Sequence, residues 1–306
     1  MKFLFIGLGS ISTKHIKDLV HIAKKQCIEC EIYILRRRLG DISSDLVGYN
    51  IKQITELDST LYDAAFITNP TNLHYNILMQ LKGKSNYFFI EKPIFESCDY
   101  DWKELEINEK NSYVACPMRH SGVYKKLKEI VDEYKVFSSR IICSSYLPEW
   151  RPSIDYRKNY SAIKALGGGV TLDLIHEIDY MVGLFGIPKK VLNIHGKYSN
   201  LEIDSDDLSV YIAEYENLLC EVHLDYFGRQ YQRKCELYTN EGTFIANFKE
   251  NTIIQPDGNV LKCVENDKTN LYNEMEYFFC FITKKRIQNI NPPDLGFKVL
   301  QITLGE

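Results

Sequence analysis

Lys92 follows directly on the apolar run Phe88-Phe89-Ile90 and is flanked by Glu91 and Pro93. An apolar run of this kind belongs to a buried strand, so its end delivers an ammonium group to a sheet edge. There it could polarise a carbonyl or stabilise a developing alkoxide, with Pro93 setting the local backbone. The same residues fit a lysine whose stem lies along a strand end with Glu91 as its surface partner. A second stretch, Gly167-Gly168-Gly169-Val170-Thr171-Leu172-Asp173-Leu174-Ile175-His176, decides more. Three glycines leave the backbone free to set a helix start against a ligand. Asp173 and His176 are three apart, which on a helix puts them on one face, continued by Asp179 and Tyr180. A histidine beside an aspartate is a proton donor or acceptor near neutral pH. The competing reading is a structural aspartate at a helix start and a histidine satisfied in a packed interface.

A third group precedes these. Gly7-Leu8-Gly9-Ser10-Ile11-Ser12 opens a helix after a five-residue apolar run and supplies the first two glycines of a G-x-G-x-x-G turn. Such a turn lets backbone N–H groups, those of Ser10 and Ile11 among them, approach a pyrophosphate at a helix N-terminus. Ser12 stands where a third Gly or Ala is usual and is small enough for helix–strand packing. The second strand runs into Arg36, Arg37 and Arg38 with no acid. An acid there would bind the ribose hydroxyl of NAD, whereas guanidinium groups suit a 2′-phosphate, which favours NADP over NAD. A solvated basic turn is the alternative. Thr68-Asn69-Pro70 ends a further strand at the edge where open α/β sheets bind ligands, and His74 follows. His74 is expected near the cofactor, or as a surface residue behind a capping Thr71 or Asn72.

These residues need elements to position them. Strands are expected at 2–6, 31–35, 63–67 and 86–90, alternating with helices at 12–25 and 71–81. That alternation argues for a parallel sheet with helices on both faces. After Met118 the pattern changes: a helix at 122–135, a strand at 136–147, a loop rich in Pro, Trp and Tyr to residue 162, and a helix at 170–185. Residues 188–264 read mostly as strands joined by Glu-Asn, Asn-Glu-Gly and Pro-Asp-Gly turns, hence antiparallel pairs. Helices near 270–285 and 293–303 close the chain. The expected organisation is an α/β domain over 1–118 and an α+β domain over 119–306, whose last helix can pack back on the first.

Composition excludes several classes. The 306 residues are 45% hydrophobic and 25% charged with a net charge of −4, which provides no basic field for nucleic acid. No apolar run has the length of a membrane span. MKFLFIGLGS lacks a small-residue cleavage site and reads as a strand, not a leader. Nine cysteines are scattered; Cys27 and Cys30 form the one C-x-x-C pair, without the second pair or histidines a zinc site needs. No metal is expected, and a reduced cytoplasmic setting is.

Taken together, Gly7-x-Gly9, Glu91-Lys92-Pro93 and the glycine segment leading to Asp173 and His176 resemble the Gfo/Idh/MocA oxidoreductases in order and spacing along nearly the whole chain. The resemblance implies an N-terminal Rossmann domain with a doubly wound parallel sheet. It also implies a C-terminal α+β domain with an open, mostly antiparallel sheet whose outer face mediates homo-oligomers. It implies hydride transfer between NAD(P) and a secondary alcohol carbon of a sugar, sugar nucleotide or cyclitol. Lys92 then matches the catalytic lysine, His176 the acid/base histidine and Asp173 the aspartate ahead of it. Many members place that aspartate one residue further from the histidine, so Asp179 competes for its role. The expected cofactor contacts are Gly7, Gly9, Ser10, Ile11, Arg36, Arg37, Thr68, Asn69, Pro70, His74, Glu91 and Lys92. The loop from Tyr146 to Ala162 resembles members associated with bacterial surface sugars, its aromatics suited to stacking on sugar rings. Trp150, Tyr156, Arg157 and, before the loop, Arg119 are therefore expected at substrate beside Asp173 and His176, with Arg151 an alternative anion holder. An aromatic cover over the domain junction is the other reading of that loop. Two functions compete with a dehydrogenase: a dinucleotide-binding sensor without turnover, and a reductase of C=C or C=N bonds that needs neither His176 nor its aspartate.

Overall fold

Apolar runs of four to six residues in the first half become strands buried on both sides. In the computed structural model, which describes residues 1–264, 268–283 and 288–306, the chain begins with β1 (Lys2–Ile6), α1 (Ser10–Lys25), β2 (Glu31–Leu35), β3 (Ile51–Ile54) and β4 (Tyr62–Ile67). It continues through α2 (His74–Gln80), β5 (Ser85–Ile90), β6 (Ser112–Val114), α3 (Gly122–Glu133), β7 (Val136–Tyr146), α4 (Val170–Asp173) and α5 (Ile175–Phe185). Seven strands follow: β8 (Lys190–Gly196), β9 (Leu208–Glu214), β10 (Leu219–Asp225), β11 (Phe227–Thr239), β12 (Gly242–Asn247), β13 (Thr252–Ile254) and β14 (Val260–Lys262). Helices α6 (Asn270–Ile282) and α7 (Pro293–Leu304) come last. Two compact units result: Met1–Pro117 with Thr269–Lys298, and Met118–Lys268 with Val299–Glu306.

The first unit is a six-stranded sheet in the order β3-β2-β1-β4-β5-β6, parallel throughout. This is the doubly wound arrangement, and its strand order reverses between β1 and β4. The edge strands β3 and β6 have four and three residues, too short for the sequence pattern to reveal. Along α1 the buried residues His15, Ile16, Leu19, Ile22 and Ala23 form one stripe against the sheet. Lys24 and Lys25 in its last turn complement the helix dipole. The sheet's aromatic core runs from Phe5, stacked on Phe66 at 4.3 Å, to Phe89. Phe278 of α6 meets Phe66 and Phe89 edge-on at 5.5 and 5.2 Å. A helix late in the sequence thus covers the same sheet face as α1.

The second unit is an eight-stranded sheet ordered β14-β13-β12-β11-β7-β10-β9-β8. Every pairing is antiparallel except β10 with β7. Burial alternates along β9 and β10, the signature of a sheet with one covered face and one open face. Cys143, Cys220 and Cys235 are buried in it as small apolar side chains. On the open face Leu192 and Ile194 are more than half exposed. Among the described residues no helix is long and apolar enough to cross a membrane.

Phe278→Ala removes the ring that caps Phe66 and Phe89. It is expected to destabilise the first unit by about 3–5 kcal/mol, read as a lower urea midpoint; an unchanged midpoint contradicts this packing.

Candidate functional site

The glycine turn joins β1 to α1. Gly7 has φ +85° and its N–H donates to the Leu35 carbonyl at 2.9 Å, a left-handed conformation that favours glycine. Gly9 is the N-cap of the sixteen-residue α1, and no acidic residue occupies its first turn. Ser12, fully buried, answers for the missing third glycine. Its hydroxyl donates to Thr68 Oγ1 at 2.9 Å, and Thr68 donates to the Ile6 carbonyl at 3.0 Å. The ends of β1 and β4 and the start of α1 are thereby fastened together. Thr68 is thus structural first, a role that sequence spacing does not disclose.

Three observations make this turn fit a dinucleotide. A Cβ at Gly9 would meet nothing within 4 Å, and one at Gly7 only Asn69 at 3.9 Å, so the backbone is open to close approach. Asn69 Oδ1 is buried without a hydrogen-bond partner among the described residues. The α1 N-terminus adds a positive partial charge. Pro70, exposed, leads into a short turn before α2. At the end of β2, Arg36 is held by Gln53 Oε1 at 2.9 Å and by the carbonyls of Gly40 and Asp41. Arg37 and Arg38 are exposed.

Lys92 leaves the end of β5 through a cis peptide bond to Pro93. Glu91 is anchored: its N–H donates to the Ile67 carbonyl at 3.0 Å, and its Oε1 lies 2.6 Å from His15 Nε2. It is neither the surface partner nor a group free to meet a cofactor that the sequence suggests. Burial acts on the Glu91 carboxyl most strongly and would raise it. The His15 hydrogen bond, together with the electrostatic influence of His15, Lys92 and His74, outweighs that and holds its pKa below 4.5. His74 is not at the surface; it is 1% exposed, with Nδ1 3.1 Å from the Ile94 carbonyl and Nε2 3.0 Å from the Asn69 carbonyl. It fastens the segment after β4 to the segment after Lys92.

In the second unit the helix expected over 170–185 is two helices, α4 and α5, broken at Leu174 (φ −95°, ψ 20°). Asp173 ends the first and His176 begins the second, so the one-face argument for a single helix does not apply as stated. Two of the three glycines serve the chain's own packing. A Cβ at Gly168 would fall 2.2 Å from the Tyr160 carbonyl, and one at Gly169 (φ +124°) 2.0 Å from Asp206 Oδ1. Asp206 in turn accepts from the N–H and hydroxyl of Thr171 and caps α4. Asp173 Oδ2 accepts the Tyr226 hydroxyl at 2.5 Å, and Trp150 lies edge-on to that ring at 5.2 Å while its Nε1 donates to Ser145.

Two expected substrate groups have other work. Arg119, 7% exposed, clasps Asp179 with Nε at 2.9 Å from Oδ2 and Nη2 at 3.0 Å from Oδ1. This forked pair also occupies Asp179, the competing partner for His176. Arg157 is engaged by Asp155 at 2.8 and 3.1 Å and by Glu202 at 3.1 Å. Tyr156 Oη accepts the Glu202 N–H, and Arg151 reaches Asn159. His15, Tyr226 and Asp206 were not singled out from sequence. His15 carried a signal, an imidazole on the buried stripe of an amphipathic helix, where a polar group needs a partner.

Residues 1–115 match the Gfo/Idh/MocA family model, described as the oxidoreductase family, NAD-binding Rossmann fold. That match covers the dinucleotide-binding part of the chain, 115 of its 306 residues. It is 24% identical over 280 residues to the myo-inositol 2-dehydrogenase of Thermotoga maritima, spanning 84% of this chain and 78% of that protein. It is 22% identical over 274 residues to the uncharacterized oxidoreductase YrbE of Bacillus subtilis, spanning 82% and 74%. The WlbA dehydrogenase from Bordetella pertussis, solved with NADH and UDP-GlcNAcA, aligns with a TM-score of 0.78 at 13% identity. That alignment covers 100% of this chain and 94% of the other, a likeness of fold.

Burial holds His74 below its ordinary value of 6.5, against the opposing pull of two carbonyls and nearby acids. Burial, then the charges of Lys125 and Arg119, lowers His120 to about 3. Between about 3 and 6.5 the unfolded chain binds the His120 proton and the folded chain does not, so stability falls as pH falls, by up to about 1.4 kcal/mol per pH unit for that group, and His74 acts in the same direction. The thermal midpoint is expected to be lower at pH 5.5 than at 7.5, and His120→Asn to shrink that drop. A midpoint unmoved by pH contradicts both assignments.

Proposed function

We propose that the protein is an NAD(P)-dependent oxidoreductase acting on a secondary alcohol carbon of a sugar, sugar nucleotide or cyclitol. The observation that carries the reading is the neighbourhood of three carboxyl-terminal strand ends in the first unit. The Gly7–Gly9 turn after β1, Asn69 after β4 and Lys92 after β5 lie on adjacent strands of one parallel sheet, where the order reverses and ligands bind. The relatives support the substrate class: one is named for a cyclitol and one was solved with a sugar nucleotide.

The bound nicotinamide supplies hydride transfer. In this reading Lys92 holds the substrate oxygen and stabilises the charge that develops on it. His176 exchanges the hydroxyl proton, and Asp173, steadied by Tyr226, orients the imidazole. Arg37 takes the 2′-phosphate of NADP in preference to Arg36, which Gln53 already engages. The open face of the second sheet, with a groove of about 490 Å³ between β7, β9, β10 and β11 and exposed Leu192 and Ile194, is the surface assigned to self-association.

The test is a panel of nucleotide sugars and free cyclitols assayed with NAD and with NADP. On the substrate found, Lys92→Ala is expected to lower kcat by roughly a hundred-fold or more; near-normal turnover removes Lys92 from the chemistry. Arg37→Ala is expected to raise KM for NADP about ten-fold and leave KM for NAD unchanged. Equal effects on both dinucleotides contradict the assignment of Arg37.

A further inference from the structure

We propose that His15 is a positioning residue for Lys92, acting through the Glu91 carboxylate. The inference rests on the reading that Lys92 does chemistry. Glu91 divides its two oxygens: Oε1 lies 2.6 Å from His15 Nε2, and Oε2 accepts the backbone N–H of Lys92 at 3.3 Å. The carboxylate is 14% exposed and the His15 side chain 0%, so little water reaches this bond. A charge in that position needs a fixed donor. His15 also lies edge-on to Phe89 at 5.1 Å, two residues before Glu91 on β5.

The tautomer follows from the surroundings. His15 Nδ1 is buried with no hydrogen-bond partner among the described residues. A neutral ring with its proton on Nε2 donates to Glu91 and leaves only a lone pair unpartnered. The opposite tautomer would set a lone pair against a carboxylate and bury an N–H without an acceptor. His15 sits one turn along α1 from Ser12, which fastens the glycine turn. One helix thus serves the dinucleotide turn at its start and the Lys92 segment a turn later, and the two duties are separable by substitution.

The test compares His15→Phe, which keeps a ring against Phe89 and removes the donor, with His15→Gln, whose amide can still donate to Glu91. The purified full chain is assayed for kcat and, by fluorescence titration, for dinucleotide Kd. His15→Phe is expected to lower kcat roughly ten- to a hundred-fold, the scale of a misplaced group, with Kd within about three-fold. His15→Gln is expected to regain most of the loss. Equal kcat in the two variants, or a parallel loss of dinucleotide affinity, overturns the proposal. A second measurement needs no turnover: ¹⁵N NMR of the imidazoles should show His15 as the Nε2–H tautomer in the wild type, altered by Glu91→Gln. An Nδ1–H tautomer overturns it even if His15→Phe does not fold. Should Lys92→Ala keep its turnover, the functional reading fails while the tautomer still reports on the His15–Glu91 bond.

Discussion

A carboxylate withdrawn from water at the end of β5 constrains the first unit more than any other group. Glu91 must be ionised to hold its charge-assisted bond with His15, and it must be bonded because it is nearly buried. That single requirement fixes the rotation of α1 about its axis, since His15 has to face β5, and it fixes the backbone that carries Lys92. His74 applies the same logic to the far side of the segment, tying Ile94 to Asn69. Two helices, packed on the sheet through apolar stripes, therefore hold the chain around Lys92 through polar contacts at their buried faces. The open glycine turn at the start of α1 lies in the same framework.

The second unit meets an equivalent need with three wholly or partly buried pairs around α4 and α5. Tyr226 donates to Asp173, Arg233 of β11 donates twice to Glu177, and Arg119 clasps Asp179. These acids flank His176 in sequence on both sides. Removing one member of either ion pair, Arg233–Glu177 or Arg119–Asp179, leaves an uncompensated charge, costing about 3–5 kcal/mol, so α5, which bears His176, has little freedom to rotate. Gly183 belongs to this arrangement: a Cβ there would fall 2.5 Å from Tyr124 Oη and 3.0 Å from Arg119 Nε. The guanidinium reaches Asp179 because a glycine leaves it room.

The parallel strands were legible because burial on both faces writes an unbroken apolar run, as in Phe88-Phe89-Ile90. Ile51–Ile54 and Ser112–Val114 were not, since edge strands of four and three residues carry too little pattern. The break at Leu174 was hidden because the spacing of Leu172, Ile175 and Ile178 is helical on either side of it. The glycine triplet was visible, but its use was not: glycine that clears a ligand and glycine that clears a Tyr160 carbonyl look alike in sequence. Arg119 and Arg157 read as anion hooks for the same reason, and one has its acid sixty residues away. His15 and Glu91 are separated by seventy-six residues. A lone sequence names each group and gives no means of joining them.

The account comes down to a hydride that passes between a substrate carbon and a dinucleotide held by the first unit. The most direct measurement uses an accepted sugar, sugar nucleotide or cyclitol deuterated at the carbinol carbon, incubated with the oxidised dinucleotide. The account predicts deuterium at the nicotinamide C4 of the reduced product, with the label absent from water. Deuterium released to water, or ketone formed with an unlabelled dinucleotide, would contradict it.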